Sequence, residues 1–460
     1  MLFADSFILS LCYHRYVPQA ITIHDIGSFG EGIGKLNGLT VFVPGALPQD
    51  RVEIELVEQK KNFSIGRVVR HIDSPLRTTP RCPLTDRCGG CQIQHLDYAA
   101  QLEWKRKKVS DSFKHIAKIE ITALPTLGMT DPYAYRNKAQ FPVGLRQGQI
   151  ETGFYALGSH AIVDTEQCPI QHPLINKALQ ALRTFLRVHP LPIYNEDTHK
   201  GLLRHLLIRA GFRTQALMIC LVINGSQIPH AEALIKSMRT IPELSSLMLN
   251  INTRQGNLIL GDQVKTLWGR DYIEDKLGDL TFRISPLSFF QVNPVQAEVL
   301  YRTAVDFAEL SGRESVWDLY CGIGTLTSFL AKKARLVYGL DEVPAAIMDA
   351  KANAQANRIR NVTFFHGKAE FQLQRILKQN RTRSDVVVID PPRKGCEENV
   401  LRTVVSMEPR KIVYVSCDPA TLARDASILT KRGYQLQKVQ PVDMFPHTVH
   451  VECVAQLTKI

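Results

Sequence analysis

The sequence predicts a multidomain α/β protein with a small N-terminal β-barrel, a central mixed α/β domain and a C-terminal doubly wound sheet. Three observations predict this organisation. The chain of 460 residues is too long for a single hydrophobic core. Short β-runs alternate with glycine turns over residues 17–75, and strands alternate regularly with helices from about residue 286. We therefore expect an extension over 1–16, a barrel over 17–75, a central domain over 76–285 and a C-terminal domain over 286–460.

Composition favours a polyanionic partner. Lys and Arg number 56 against 44 Asp and Glu, which gives a formal charge of +12. Such a balance suggests RNA or DNA rather than a small anion, although a merely solubilising surface is the alternative. No apolar run approaches the ~20 residues of a membrane span, and the N-terminus lacks the features of a signal peptide. We expect a cytoplasmic monomer without membrane association or an obligate protein partner, its ten cysteines serving as thiols, metal ligands or catalysts.

The N-terminal region reads as an antiparallel barrel of OB-like type. Arg51–Val57 and Ser64–Arg70 alternate with period two, and a turn occupies 44–48. Barrels of this type often bind nucleic acid. Four basic residues are candidates for phosphate contacts, unless they only form a solvated surface: Lys60, Lys61, Arg67 and Arg70.

Four cysteines predict an iron–sulfur site. Three are clustered and the fourth stands far along the chain before a proline: Cys82, Cys88, Cys91 and Cys168. This pattern suggests four thiolates around one cluster, and Gly89 and Gly90 would let the backbone wrap closely round the sulfurs. Structural zinc, which usually takes two short ligand pairs, is the main rival, and unrelated thiols are the other alternative.

The middle of the chain is less informative. Residues 97–118 predict a helix with Leu102 and Trp104 on one face and the basic run 105–108 on the other. A solvated basic face is the expected reading, and RNA contact is the alternative. Between 124 and 285, short strands and helices predict a mixed α/β domain that could shape a substrate surface.

The C-terminal pattern predicts a site for S-adenosylmethionine. Strand 315–320 leads into the glycine loop 321–325, which lacks both the full G-x-G-x-x-G and a Gly-Lys-Ser/Thr. Asp341 at the tip of the second strand suits two ribose hydroxyls. A short glycine loop with an acidic second strand end fits S-adenosylmethionine, whose sulfonium needs no phosphate site. Asp390 opens a DPP turn that can line the methyl-transfer site, and helix capping is the alternative role for these acids.

Cys417 stands where the predicted strand 411–415 ends and a helix begins at Asp418-Pro419. Sheets of this class place working residues there, and the oriented amides of a helix start favour a thiolate. A buried, inert core cysteine is the alternative. The last apolar run, 449–457, has no preceding helix and predicts an antiparallel strand. Three other cysteines are expected to be core or loop thiols: Cys321, Cys396 and Cys453.

Taken together, these motifs resemble those of the RNA (uracil-5-)-methyltransferases, specifically the 23S ribosomal RNA branch with an N-terminal TRAM barrel and a [4Fe-4S] site. The resemblance covers about residues 17–460. Its motifs are Cys82/Cys88/Cys91/Cys168, Phe290-Gln-Val-Asn293, Asp318–Gly324, Asp390–Arg393, Val415–Pro419 and Asp443–Pro446 through His450–Glu452. Residues 1–16 match nothing in this pattern.

The resemblance implies roles for individual residues. Four residues would line the cofactor site: Gln291, Tyr320, Asp341 and Asp390. Cys417 would be the nucleophile and Glu452 the base, and the four cysteines would hold the [4Fe-4S] cluster. Asp341 stands where glutamate is frequent in the family, a conservative departure because either carboxylate accepts ribose hydroxyls.

C5 methylation of uracil requires a nucleophile and a base, the roles implied for Cys417 and Glu452. C5 is a weak nucleophile until a thiolate adds at C6 and creates an enolate, which is the task for Cys417. The C5 proton must then leave, and Glu452, in a run that reads as largely buried, is the candidate base; an ordinary exposed glutamate is the alternative. The target base must leave its stack. We expect C5 methylation of a uridine, with 23S ribosomal RNA favoured over transfer RNA. An amino-group methyltransferase and a non-catalytic iron–sulfur RNA-binding factor are the alternatives.

Overall fold

The structure of the protein is a computed structural model that describes residues 18–380 and 384–460. The extension expected over residues 1–16 lies outside the described residues. The chain forms two units, one made of the residues up to Thr79 with His95–Asp97, the other of Pro80–Gln94 with Tyr98–Ile460. The finer division expected from the sequence stays a prediction. No helix in the described ranges has the length and apolar character needed to cross a membrane.

The first unit contains a closed five-stranded barrel. Its strands are β1 (Gln19–Ile26), β2 (Gly32–Leu36), β3 (Leu39–Val43), β4 (Arg51–Gln59) and β5 (Phe63–Asp73), in the order β1-β2-β3-β5-β4. Ile23, Val52 and Ile54 fill the interior because alternate strand residues face the same side. Asn37 and Gly38, both with positive φ, suit the tight turn between β2 and β3. The predicted barrel is confirmed, but it is not antiparallel throughout, because β3 and β5 pair in parallel.

The basic residues of the barrel are partly engaged in surface ion pairs. Arg67 lies 2.6 Å from Glu55, and Arg70 lies 2.6 Å from Glu53. Exposed pairs of this kind contribute little free energy, so a phosphate can replace the carboxylate at small cost. The two arginines therefore remain candidates for phosphate contacts.

The second unit opens with α1 (Tyr98–Ser112), which continues through a π-helical segment, Phe113–Ala117. The elements that follow are β6 (Lys138–Arg146), β7 (Gln149–Tyr155), β8 (Ile162–Asp164), α2 (Pro173–Val188), β9 (Leu203–Ala210), β10 (Leu217–Ile223), α3 (Ala231–Met238), β11 (Leu244–Ile251) and β12 (Gln263–Gly269). The strands form a mostly antiparallel sheet in the order β12-β11-β10-β9-β6-β7-β8. This agrees with the mixed α/β character expected for the middle of the chain.

The central sheet is buried on both faces around β10. Leu217, Ile219 and Leu221 face a core that includes residues of α2 and α3. The intervening Met218 and Cys220 join a core that also contains residues of the C-terminal sheet. Because side chains alternate across a strand, the fully apolar sequence of β10 follows from packing on both faces.

The C-terminal part is a doubly wound sheet preceded by the hairpin β13 (Ile273–Leu277) and β14 (Leu280–Ile284). Its elements are α4 (Pro294–Ala308), β15 (Ser315–Leu319), α5 (Thr325–Ala331), β16 (Leu336–Asp341), α6 (Pro344–Ala356), β17 (Val362–His366), α7 (Ala369–Asn380), β18 (Val386–Ile389), α8 (Glu398–Ser406), β19 (Lys411–Ser416), α9 (Pro419–Thr430), β20 (Tyr434–Val442) and β21 (Glu452–Lys459). The strand order is β17-β16-β15-β18-β19-β21-β20. β15 to β19 are parallel, and β21 runs antiparallel to β19, as the sequence predicted.

Candidate active site

The candidate active site lies at the carboxyl edge of the C-terminal sheet. The strand order reverses between β15 and β18, and ligands of doubly wound sheets bind in the crevice at such a point. Tyr320 follows β15, Asp390 follows β18 and Cys417 follows β19, while Asp341 ends β16. The topology therefore brings four of the predicted site residues to one edge.

The glycine loop before α5 is shaped for close packing. Gly322 and Gly324 have φ of +53° and +76°, and a Cβ on Gly324 would lie 3.1 Å from both Ala350 and Phe364. Asp341 accepts hydrogen bonds of 2.9 Å from two backbone N–H groups, one of them that of Gly322. Each carboxylate oxygen can accept further bonds, so Asp341 is fixed in place and still able to bind ribose hydroxyls.

Further carboxyl groups make this edge strongly acidic. Asp318 in β15 is fully buried and accepts a hydrogen bond from Thr327. Burial, together with the charges of Asp390 and Asp341, raises the pKa of Asp318 to about 7. Burial also raises the pKa of Asp390 to about 7, although its side chain is partly open to solvent. A cationic ligand would relieve this concentration of acidic groups.

The strand register brings the predicted nucleophile and base together. β19 and β21 are antiparallel with Ser416 opposite Cys453. The neighbouring pair at the end of these two strands is Cys417 and Glu452, which therefore face each other. Side chains opposite in such a pair have Cβ atoms roughly 4.5–5.5 Å apart. Glu452 is only 4% exposed, which excludes the alternative of an ordinary exposed glutamate.

Glu452 has the raised pKa expected of it. Burial, together with the negative charge of Asp390, raises the pKa of Glu452 to about 8, and the Arg393 guanidinium opposes this shift. Arg393 is exposed at the end of the motif that begins with Asp390. The sequence motif contained this arginine, but its electrostatic connection to Glu452 became visible only in the structure.

The sequence predicted that the start of α9 lowers the pKa of the Cys417 thiol, and this prediction is wrong. Burial, together with the charges of Glu452 and Asp390, raises the pKa of the Cys417 thiol to about 11. The carboxylate of Asp418, the N-cap of α9, accepts the N–H groups of Ala420 and Thr421 at 2.8 and 3.2 Å. The helix amides are therefore engaged by Asp418. Cys417 itself is half-buried, unlike a core cysteine.

Sequence reasoning missed Tyr301, which links two parts of the site. This α4 residue is 5% exposed, and its hydroxyl lies near the side chain of Gln291. Burial, together with the charges of Asp390 and Glu452, raises the pKa of Tyr301. The backbone carbonyl of Gln291 accepts a 3.0 Å hydrogen bond from Asn137. The only sequence signal for Tyr301 was its place on the buried face of α4, which is equally typical of a core residue.

Tyr320 is held at the switch point by an unusual backbone conformation and a side-chain bond. Its φ is +66°, which is uncommon for a residue other than glycine. Its hydroxyl is hydrogen-bonded to Cys396, which lies 3.7 Å from the hydroxyl of Tyr414. Three cysteines expected to be core thiols are buried, as predicted: Cys321, Cys396 and Cys453.

The four clustered cysteines line one cavity of about 250 Å³: Cys82, Cys88, Cys91 and Cys168. Two of the thiols receive backbone N–H groups, that of Gly90 at 3.4 Å from Cys88 and that of Ile170 near Cys168. Within the described ranges, no group of three or more His, Cys, Asp or Glu side chains could hold a metal ion as placed. The iron–sulfur site expected from the sequence therefore stays a prediction.

Burial disfavours the charged forms of several groups around this cavity. Burial, together with the neighbouring thiols, raises the pKa of Cys91, and burial raises that of Cys168 to about 11. Arg136 and Lys138 also line the cavity, and burial lowers the pKa of Lys138 to about 7. A Cβ on Gly90 would meet only the Cys88 sulfur, at 3.4 Å, whereas a Cβ on Gly89 would lie 2.9 Å from the carbonyl oxygen of Tyr155. That the two glycines let the backbone wrap round the sulfurs stays a prediction.

The predicted solvated face of the helix 97–118 is wrong for Lys105 and Lys108, whereas Lys107 is exposed as expected. Lys105 is fully buried in an ion pair with Asp443, which also accepts a 2.8 Å hydrogen bond from Tyr98. Lys108 donates to the carbonyl of Val449 at 2.7 Å. Lys105 and Lys108 have acidic and carbonyl partners that are more than 300 residues away, which local sequence patterns do not reveal.

The segment 443–449, which precedes Glu452, is anchored from three further directions. Ile93 donates its N–H to the carbonyl of His447 at 3.0 Å. Asn293 donates to the carbonyl of Met444, and Tyr135 donates to that of Pro446, both at 3.0 Å. The position of Glu452 therefore depends on the cysteine-site segment, the cofactor motif and α1.

Comparison with known proteins agrees with this geometry. The family model described as tRNA (Uracil-5-)-methyltransferase matches residues 97–460, and the TRAM domain model matches residues 18–69. An uncharacterized RNA methyltransferase of Halalkalibacterium halodurans is 46% identical over 440 residues, covering 95% of this chain and 96% of the relative. Another, of Caldanaerobacter subterraneus subsp. tengcongensis, is 46% identical over 442 residues, covering 96% of this chain and 98% of the relative.

One solved structure is similar over nearly the whole chain. It is the Pyrococcus abyssi tRNA (uracil-54, C5)-methyltransferase in complex with S-adenosyl-L-homocysteine. The TM-score is 0.77 at 28% identity, and the match covers 96% of this chain and all of the other.

Proposed function

The chain belongs to the tRNA (uracil-5-)-methyltransferase family, and from that premise we propose that it methylates C5 of a uridine in 23S ribosomal RNA with S-adenosylmethionine. The observation that carries the proposal is the register that sets Cys417 opposite Glu452 beside Asp390. Family membership argues against both the amino-group methyltransferase and the non-catalytic factor. Transfer RNA, the substrate named for the Pyrococcus relative, is the alternative. The TRAM barrel combined with four cysteines favours ribosomal RNA by resemblance.

The residues of the site suit the three tasks of the reaction. The thiol of Cys417 loses its proton to solvent, and its sulfur adds to C6 of uracil while the electrons of the C5=C6 bond move to the C4 carbonyl as an enolate. C5 thereby becomes nucleophilic enough to take a methyl group. Glu452 then removes the C5 proton, the C5=C6 bond re-forms, and the C6–S bond breaks to release Cys417.

S-adenosylmethionine supplies the methyl group as a sulfonium. Asp341 would accept its ribose hydroxyls, while Gln291, Tyr320 and Asp390 would form the rest of its site. The acidic groups at this edge suit a cation, since a positive charge near Asp390 favours the carboxylate forms of Asp390 and Glu452. Tyr301 lies near the Gln291 side chain and would help to fix its orientation.

We also propose that the four cysteines hold a [4Fe-4S] cluster. The common cavity, the backbone N–H groups near two sulfurs and the Arg136 guanidinium at its wall suit a thiolate-bound anionic cluster. Methyl transfer moves no net electron between protein and substrate, so the group would stabilise this part of the fold and position RNA contacts.

The experiment that tests the function uses RNA transcripts in which uridine is replaced by 5-fluorouridine. Fluorine cannot leave as F⁺, so the reaction should stop after methyl transfer with protein and RNA covalently joined. We expect a band that survives denaturing gel electrophoresis with wild type and none with Cys417→Ala. Cys220→Ala, which removes a buried thiol from the central sheet, is the matched control and should form the adduct.

The role of Glu452 is tested by a different result in the same assay. Glu452→Gln leaves thiol addition and methyl transfer possible but not proton removal, so an adduct should accumulate on ordinary uridine. Transcripts of 23S ribosomal RNA and of transfer RNA, tested in parallel, distinguish the two substrates. Turnover by Cys417→Ala would refute the mechanism.

A further inference from the structure

A second cavity, in the central sheet, has features that the methyl-transfer site does not use. It has a volume of about 250 Å³ and lies among β6, β7, the start of β9 and the segment 193–196. Its lining includes six side chains with aromatic or polar character: Tyr155, His160, Tyr194, Glu196, Arg204 and His205. The volume is below the range typical of pockets for drug-sized ligands, and it suits a single planar ring.

Two pairs of stacked groups form part of its wall. The rings of Tyr155 and His160 lie with centroids 5.2 Å apart and planes 23° apart. The guanidinium of Arg204 lies 4.3 Å from the centroid of the Tyr194 ring. The side chain of His160 is 63% exposed, so its ring can be reached from solvent. Aromatic rings and arginine planes are the groups on which proteins stack unpaired bases.

The polar groups of the cavity favour the base of a nucleotide over its phosphate. Glu196 accepts a hydrogen bond from His160 at 2.9 Å and lies near the hydroxyl of Tyr155. Its carboxylate would repel a phosphate but can accept from the N–H groups of a base edge. Nε of Arg204 and Nδ1 of His205, both in side chains more than nine-tenths buried, have no hydrogen-bond partner among the described residues.

The cysteine segment supports the wall of this cavity. The N–H of Gly89 donates to the carbonyl of Tyr155 at 2.9 Å, and Cys88 forms an antiparallel bridge with Ala156. A side chain at position 89 would collide with that carbonyl, since its Cβ would lie 2.9 Å away. A change in the conformation of the cysteine segment would therefore move Tyr155.

We propose that this cavity binds one unpaired nucleobase of the RNA substrate, away from the uridine that is methylated. The inference rests on the proposed function, because it assumes that the chain acts on RNA. The base stacks on the exposed face formed by His160 and Tyr155 and presents its edge to Glu196. The pocket thus recognises a nucleotide that lies outside the candidate active site. The cysteine segment supports the wall of the pocket and so influences its shape.

The test compares two matched histidine variants of the full chain. His160→Asn removes the stacking ring but keeps a hydrogen-bonding group for Glu196. His230→Asn is the control, since His230 is also exposed, lies with its ring centroid 5.0 Å from that of another histidine and does not line the cavity. Asparagine also tolerates the positive φ of His230. The probe is unmodified ribosomal and transfer RNA from a strain that lacks the protein, at one fixed salt concentration.

We expect His160→Asn to weaken RNA binding by about fivefold or more, in line with the loss of one base–aromatic stack, and to leave S-adenosylmethionine binding unchanged. His230→Asn should bind RNA like wild type. Ultraviolet cross-linking followed by mass spectrometry should locate a nucleotide on a peptide containing Tyr155 or His160. Equal RNA affinity of the two variants, or cross-links confined to other peptides, would overturn the proposal.

The outcomes separate the pocket from the function on which it rests. If wild type forms 5-methyluridine but the two variants bind RNA equally, the pocket alone fails. If wild type forms none while His160→Asn still loses RNA affinity, the methyltransferase proposal fails and base binding stands. Thermal melting of both variants verifies that the folded population is equal.

Discussion

The pH dependence of catalysis tests the role of Glu452 directly. Glu452 must be a carboxylate to remove the C5 proton, and its pKa is raised to about 8. The carboxylate fraction is then about 9% at pH 7 and about 50% at pH 8, a rise of about fivefold, with a further factor of about ten between pH 6 and 7. Because the pKa of Cys417 is also raised, to about 11, loss of its proton can only add to the rise.

Replacing Arg393 should move this profile in a known direction. The Arg393 cation lowers the pKa values of Glu452 and Cys417. Arg393→Gln removes that effect, so the acid limb should shift to higher pH. Lys394→Gln is the matched control, because it removes one positive charge from the adjacent position, where the lysine contacts Glu397 at 3.2 Å. Its profile should coincide with that of wild type.

The assay is methyl transfer from radiolabelled S-adenosylmethionine to unmodified RNA between pH 6 and 9, analysed as kcat/KM at each pH. The pH at which kcat/KM rises is the result to compare, and not the size of kcat/KM, because Arg393→Gln can also weaken RNA binding. A profile that is flat between pH 6.5 and 8.5 would refute the assignment of the limiting proton to Glu452. A shift of the Arg393→Gln limb to lower pH would refute the electrostatic argument.

Three further predictions concern other parts of the chain. Asp341→Ala should weaken S-adenosylmethionine binding about tenfold or more, as expected for loss of hydrogen bonds to a charged group, measured by calorimetry without RNA. Protein purified without oxygen should be brown and contain about four irons per chain. Cys168→Ser should lose colour and iron, and it should bind RNA more weakly while S-adenosylmethionine binding changes less. Stoichiometric zinc without iron would contradict the proposed cluster. Asp443→Asn should lower the free energy of unfolding by about 3–5 kcal/mol in urea titrations because it leaves Lys105 buried without its partner, whereas Asp111→Asn in an exposed pair should cost less than about 1 kcal/mol.

The sequence predicted the features that depend on local patterns. The strand before Cys417 and the helix start at Asp418 were read correctly, because strand periodicity and capping chemistry are properties of neighbouring residues. The pKa of Cys417 was predicted in the wrong direction, since it depends on Glu452, which is distant in sequence and adjacent only through the sheet register. Tyr301 was missed for a related reason, since a buried tyrosine on a helix has the same local pattern as a core residue.

The buried lysine of α1 shows how distant parts of the chain cooperate in placing the base. Lys105 pairs with Asp443 at one end of the segment that leads to Glu452, and Lys108 holds its other end through the carbonyl of Val449. Ile93, two residues after the last clustered cysteine, bonds the middle of the same segment. A change in the cysteine site can therefore reach Glu452 through one backbone hydrogen bond and a short stretch of chain. Damage to the four cysteines should then displace the proposed catalytic base as well as RNA contacts, even though methyl transfer itself consumes no electron.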